Sequence, residues 1–207
     1  MRRDAGFTLI EILVTIVVLA LGLLGVAGMQ ARASVTEFES YQRGQALALV
    51  RDMQSRLLSS RGVLPGYLDK SVSASDGSVY FGSGAGATSF ADGAGNCPAP
   101  VAGDALAIAK HQVCTWAQEL LGASVKEGAN AIGAMVGARG CLVPVVPPQQ
   151  NALADVYVVV VWQGVEARAE PAAASAIARC ASAVNFGQGL RRGISLRVMV
   201  PDLQKGA

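Results

Sequence analysis

From Phe7 to Met29 the chain runs through 23 residues with one charge, Glu11, and no proline. Such a run cannot be an ordinary surface element, because every face of it is apolar. As a helix it would extend about 35 Å at ~1.5 Å per residue. That length crosses a ~30 Å hydrocarbon core with some tilt. The whole chain has 207 residues and is 52% hydrophobic, with 15% charged residues and a net charge of +2. This composition excludes a disordered chain, which needs low hydrophobicity and high charge. It also argues against nucleic-acid binding, because no basic cluster exceeds two adjacent residues. No other run approaches membrane length.

Arg2 and Arg3 precede the apolar run, so the first residues should stay in the cytoplasm and the following domain should be exported. The run is too long for a cleaved secretory h-region and lacks a clean end. Helical character continues through residues 30–60 without a proline. Ala46, Leu49, Met53 and Leu57 mark one apolar stripe, extended upstream by Val35 and Phe38. Asp52 stands four residues before Arg56, a favourable order for a helical ion pair. The expectation is one helix of about 50 residues, apolar all round and then amphipathic.

Residues 61–207 read as an exported globular domain. Gly62 to Asn96 is rich in Gly, Ser and Ala and reads as loop, with at most a short strand around Val79 to Phe81. Asp104 to Leu121 reads as a second helix, carrying Leu106, Ala109, Val113, Ala117 and Leu120 on one stripe. Ala131 to Val146 reads as a broken strand. Asp155 to Gln163 is the strongest strand signal, being rich in β-branched and aromatic residues. Gly193 to Pro201 alternates, with Ile194, Leu196, Val198 and Val200 on one face and Ser195, Arg197 and Met199 on the other. Glu166 to Ala183 reads as a long loop between the last two strands. The fold class is α+β, a long N-terminal helix packed on an antiparallel sheet of three or four strands.

No catalytic residue, metal site or cofactor is expected. His111, the only histidine, excludes a multi-histidine metal site, and no serine lies in a nucleophile elbow. Cys97, Cys114, Cys141 and Cys180 lack any close pair of the kind zinc sites use. An even count in an exported domain reads as two disulfides. Three connectivities are open, and Cys114–Cys141 with Cys97–Cys180 is preferred because the first pair would staple helix to strand.

The most specific feature is the junction Gly6-Phe7-Thr8-Leu9-Ile10-Glu11. A glycine ends a short basic leader, Phe7 opens the apolar run, and a glutamate follows as its fifth residue. This resembles the class III signal of type IV prepilins and pseudopilins. The resemblance implies a leader at residues 1–6, cleavage between Gly6 and Phe7 by prepilin peptidase, and methylation of the new Phe7 amine. It further implies that residues 7–29 remain as membrane anchor and filament core, and that the globular part takes the type IV pilin fold. Glycine at the cleavage point fits, since it lets an extended backbone enter a protease cleft. An ionisable group within an apolar helix is a functional candidate by default. In the family, the residue matched by Glu11 attracts the N-terminal amine of a neighbouring subunit. Gly22, Gly25 and Gly28 allow either close helix approach or local unwinding.

Across more of the chain, the stretch from Leu19 to Ala33 and the two C-terminal segments Val156–Gly164 and Gly189–Leu203 resemble the PilV group of minor pilins. That group implies a low-abundance subunit of an initiating or tip complex. Its partners would be other minor pilins, the major pilin and the inner-membrane assembly platform, with a role in priming assembly and supporting adhesion. Its place would be the inner membrane, with a periplasmic domain, and then the pilus. A type II secretion pseudopilin shares the same leader, helix and strand-rich domain. A membrane-anchored periplasmic enzyme or binding module is the remaining alternative, and it would need a convergent polar site.

Overall fold

The computed structural model describes residues 8–123, 126–127, 130–131, 135–149 and 152–202. Contacts divide the chain into two units, residues 1–41 and 42–207.

In the first unit the described residues are helical from Leu9 onward, as the opening part of helix α1 (Leu9–Ser59). Leu9, Leu21 and Val26 are 78%, 65% and 46% exposed, and helical spacing points them to different sides of the helix. Their hydroxyl-bearing neighbours satisfy themselves within the helix. Thr15 donates to the Ile12 carbonyl at 2.8 Å, and Thr36 donates to the Arg32 carbonyl at 3.0 Å. Such internal bonds leave neither hydroxyl dependent on water.

The second unit begins inside α1. Gln42, Ala46, Val50, Met53 and Leu57 are its buried residues, a stripe at helical spacing. The expected upstream extension fails at Phe38, which is 42% exposed. A short 3-10 turn, Arg61–Val63, leads into α2 (Leu64–Tyr67). Helix α3 (Ala105–Leu120) starts where Asp104 accepts hydrogen bonds from the Leu106 and Ala107 amides, an N-cap that satisfies two orphan donors.

The main sheet is antiparallel, in the order β1 (Phe81–Gly82), β4 (Arg139–Pro144), β5 (Ala152–Gln163) and β6 (Arg191–Pro201). A separate pair joins β2 (Lys126–Glu127) to β3 (Asn130–Ala131). The expected α+β arrangement, a long helix packed on an antiparallel sheet, is therefore present and matches the type IV pilin fold. The broken strand expected from Ala131 to Val146 resolves into two pieces in different sheets.

Strand β5 is buried on both faces, which explains its unbroken apolar run. Ala154, Val156, Val158, Val160 and Trp162 join the main core with α1, α3 and Leu142. Val159 and Val161 point the other way, into a second core with Tyr80, Cys141, Val143, Cys180 and Phe186. That second core is roofed by the segment before β6, which carries a one-turn helix, α4 (Ala176–Arg179). The expectation of a long loop there misses this turn and its packing. Gly77 makes the docking possible: at φ +72° any Cβ would collide with the Arg179 carbonyl. The Gly77 carbonyl then accepts from the Ala181 amide at 3.0 Å.

Candidate functional site at the start of the long helix

Thr8 and Glu11 close the first turn of α1. The Thr8 amide and hydroxyl both donate to Glu11 Oε2 at 2.9 Å. The Glu11 amide donates back to Thr8 Oγ1 at 3.4 Å. This is a capping box: a hydroxyl residue and a glutamate three positions later satisfy each other's orphan groups. The carboxylate therefore sits at the positive end of the helix dipole, where a negative charge is favoured. The Thr-x-x-Glu spacing carries this signal in the sequence, although the apolar run around it draws attention to membrane insertion instead. Gly6 and Phe7, the expected cleavage and methylation residues, lie outside the described residues.

The carboxylate opens a long apolar surface. An 18-residue window of α1 has a mean hydropathy of 2.8, and none of it is buried. By length and composition it can cross a membrane. Gly22, Gly25 and Gly28 have nothing within 4 Å of where a Cβ would stand. The helix flank is open at all three.

The same end of the chain carries a family signature. Residues 1–27 match the family model described as the prokaryotic N-terminal methylation motif. That match supports a type IV pilin-like protein. It implies processing by a prepilin peptidase and partners within a pilus system, and the apolar helix fits a membrane-anchored pilin. A prepilin motif on a pilin-like fold suggests a structural rather than a catalytic protein. No curated protein and no solved structure matches the chain.

The four cysteines form two disulfides, with a pairing that corrects the sequence expectation. Cys97 bonds to Cys114 and Cys141 bonds to Cys180, with Cα separations of 5.6 and 5.7 Å. The expected Cys114–Cys141 bridge fails because of strand alternation. Leu142 faces the core that contains α3, so its neighbour Cys141 points to the opposite face of the sheet. Cys141 meets the roof before β6, and Cys114 takes its partner from the loop preceding α3.

That loop lies along α3 as a strap. His111 Nδ1 donates to the Pro98 carbonyl at 2.8 Å, and Gln118 Nε2 donates to the Gly95 carbonyl. With Cys114 between them, these contacts follow one helix face at three- and four-residue spacing. His111 thus has a structural task.

Two arginines organise the rest of the domain: Arg56, expected only as the partner of Asp52, and Arg191, which sequence reasoning passed over. Arg56 bonds Asp52 at 2.7 Å as expected, and also reaches Glu119 at 3.0 Å, the Gln112 carbonyl at 2.9 Å and Thr115 Oγ1 at 2.6 Å. It ties α1 to α3. Burial pushes the Glu119 carboxyl above its ordinary range, and nearby Arg56 partly offsets that rise. Arg191 donates to the carbonyls of Cys180 at 2.7 Å and of Ala181 and Val184 at 3.2 Å. Its guanidinium lies 4.5 Å from the centroid of Phe186, a cation–π contact. Arg191 therefore holds the roof that carries Cys180. Single arginines bonded to loop carbonyls leave no periodic trace in a sequence.

Proposed function

We propose that the protein is a minor pilin of a type IV pilus, a structural subunit of an initiating or tip complex that primes assembly of the major pilin. The observation that carries this reading is the Glu11 carboxylate at the head of an exposed apolar helix, inside a methylation motif. The Thr8 bonds cap the carboxylate but leave its negative charge without a cation, which is costly in a bilayer. A second subunit that offers a cationic amine lowers that cost and brings two apolar helices together.

In this reading prepilin peptidase cuts between Gly6 and Phe7 on the cytoplasmic side. The Phe7 amine is methylated, residues 7–29 hold the subunit in the inner membrane, and the disulfide-bonded domain waits in the periplasm. Assembly then moves the subunit into the pilus. The resemblance to the PilV group supports the minor role and a part in adhesion.

The decisive experiment is deletion with complementation, scoring surface pili against protein secretion. Loss of pili with intact secretion is the expected result. The opposite outcome identifies a type II secretion pseudopilin. Mass spectrometry of the mature chain should show an N-methylated Phe7, and retention of Met1–Gly6 in the presence of the peptidase would overturn the prepilin reading. Glu11→Ala should still insert in the membrane yet restore piliation poorly.

A further inference from the structure

Helix α1 contains four glycines, and only Gly44 lies beyond the apolar run. Gly44 is exposed, and a Cβ there would meet nothing within 4 Å. Packing therefore does not call for a glycine. Its backbone freedom nonetheless weakens the helix at that turn about 5-fold relative to alanine. Two residues earlier, Gln42 is 2% exposed, and neither atom of its side-chain amide has a hydrogen-bond partner. The other buried polar side chains among the described residues are satisfied. Ser73 Oγ reaches the Asp69 carbonyl at 3.5 Å, and Asp155 accepts from Arg197 at 2.9 Å. An orphaned amide costs the folded state its desolvation without return. The closed helix cannot relieve Gln42, because the backbone groups of the turn are already bonded along the helix.

We propose that α1 carries a built-in point of opening at residues 42–44. Arg43 and Gly44 are both exposed, so water can take over the backbone bonds of this turn. When the turn opens, a freed carbonyl accepts from Gln42 Nε2 and a freed amide donates to Gln42 Oε1. The open state thus satisfies a side chain that the closed state leaves orphaned, and Gly44 supplies the backbone freedom. Both effects act in the same direction within one turn. The opening stops at the stripe that follows. Ala46, Val50, Met53 and Leu57 are buried, and the Leu49 carbonyl accepts from Trp116 Nε1 at 3.0 Å. These contacts must break before that part of the helix can open, so its opening belongs to the core. The inference concerns the helix alone and holds whether or not the chain is a pilin.

The test is amide hydrogen exchange of the full chain in detergent micelles, read residue by residue. The amides of Arg43, Gly44 and Gln45 should exchange about 10-fold or more faster than those of Val50 and Met53, with a weaker dependence on denaturant. Gly44→Ala displaces no atom and should slow exchange at residues 43–45 about 5-fold. Gln42→Met keeps the side chain's length and removes both orphaned atoms, and should slow the same amides about 5- to 150-fold. Gly28→Ala, at an equally open glycine of the same helix, should leave them unchanged. Rates at residues 43–45 equal to those at Val50 overturn the proposal. So does a Gln42→Met chain whose amides there exchange as fast as before or faster, which would make the buried amide a stabilising group.

Discussion

Asp155 and Arg197 form a two-pronged pair across neighbouring strands. Arg197 Nε donates to Asp155 Oδ1 at 2.9 Å, and the Arg197 Nη2 donates to Oδ2 at 2.7 Å. The carboxylate side chain is fully buried, and Oδ2 also accepts from the Gln149 amide at 3.1 Å. The pair fixes the turn between β4 and β5 onto the sheet.

The Arg197 guanidinium holds the Asp155 carboxyl below its ordinary range against the opposing effect of burial. The folded state therefore binds this proton less readily than the unfolded state. The contribution is complete above the unfolded value of about 3.9 and is lost as pH falls through the depressed folded value. Asp155→Asn should cost about 1–3 kcal/mol at neutral pH. It should also flatten the loss of stability below about pH 4. Urea unfolding of the full chain in detergent at several pH values checks both. An unchanged acid limb in the variant would show that Asp155 does not control it.

The two disulfides should differ in worth because they close loops of different length. Cys97 and Cys114 are 17 residues apart, and Cys141 and Cys180 are 39 apart. Loop-closure entropy gives about 3 and about 4 kcal/mol respectively. Serine replacement of each pair, followed by denaturant unfolding, measures the order. Non-reducing peptide mapping should find the pairs 97–114 and 141–180 and no free thiol.

Gly140 should not accept a side chain. A Cβ there would overlap the Trp116 ring and approach Leu120 Cδ1 to 2.7 Å. Trp116 is fully buried and donates its Nε1 to the Leu49 carbonyl at 3.0 Å, so it has little room to give. Gly140→Ala should destabilise by about 1–3 kcal/mol through overpacking. Thermal unfolding gives the value. An equal stability would mean that α3 shifts freely over the sheet.

Thr8→Ala removes one half of the capping box and should fray the first turn of α1 by about 1 kcal/mol. Amide exchange of Leu9 to Ile12 in micelles should quicken, with exchange near Val50 unchanged. Thr8→Ser should restore protection, since it keeps the hydroxyl.

How much of this could be read from the residues depended on whether a signal was periodic. The stripe from Ala46 to Leu57 and the alternation from Ile194 to Val200 repeat with their element, and both faces came out as expected. The run Val156 to Trp162 announced a strand, but periodicity does not say what covers its second face. That cover comes from a segment whose only regular turn is Ala176–Arg179, too short to leave a pattern. The cysteine pairing was unreadable for a related reason. Cys141 and Leu142 are both acceptable core residues, and only the register of β4 decides which of them meets α3. Gln42 was also unforeseen: it is 2% exposed with neither amide atom hydrogen-bonded. A polar residue on the apolar stripe reads from sequence as a break in it.

The strap before α3 has one more consequence. Its hold on the helix rests on Pro98, Cys97 and Gly95, and two of these contacts use only the backbone carbonyl of the strap. Between Ser89 and Ala94, Phe90 lies 5.7 Å from Phe81 between ring centres, and Asp92 serves only its own turn, accepting from the Ala94 and Asn96 amides at 2.9 and 2.8 Å. An epitope or short peptide inserted ahead of Asp92, next to Ala91, would keep that turn and be displayed while the disulfide clamps its base. The molecule thus offers a surface whose identity can be rewritten without renegotiating the fold beneath it.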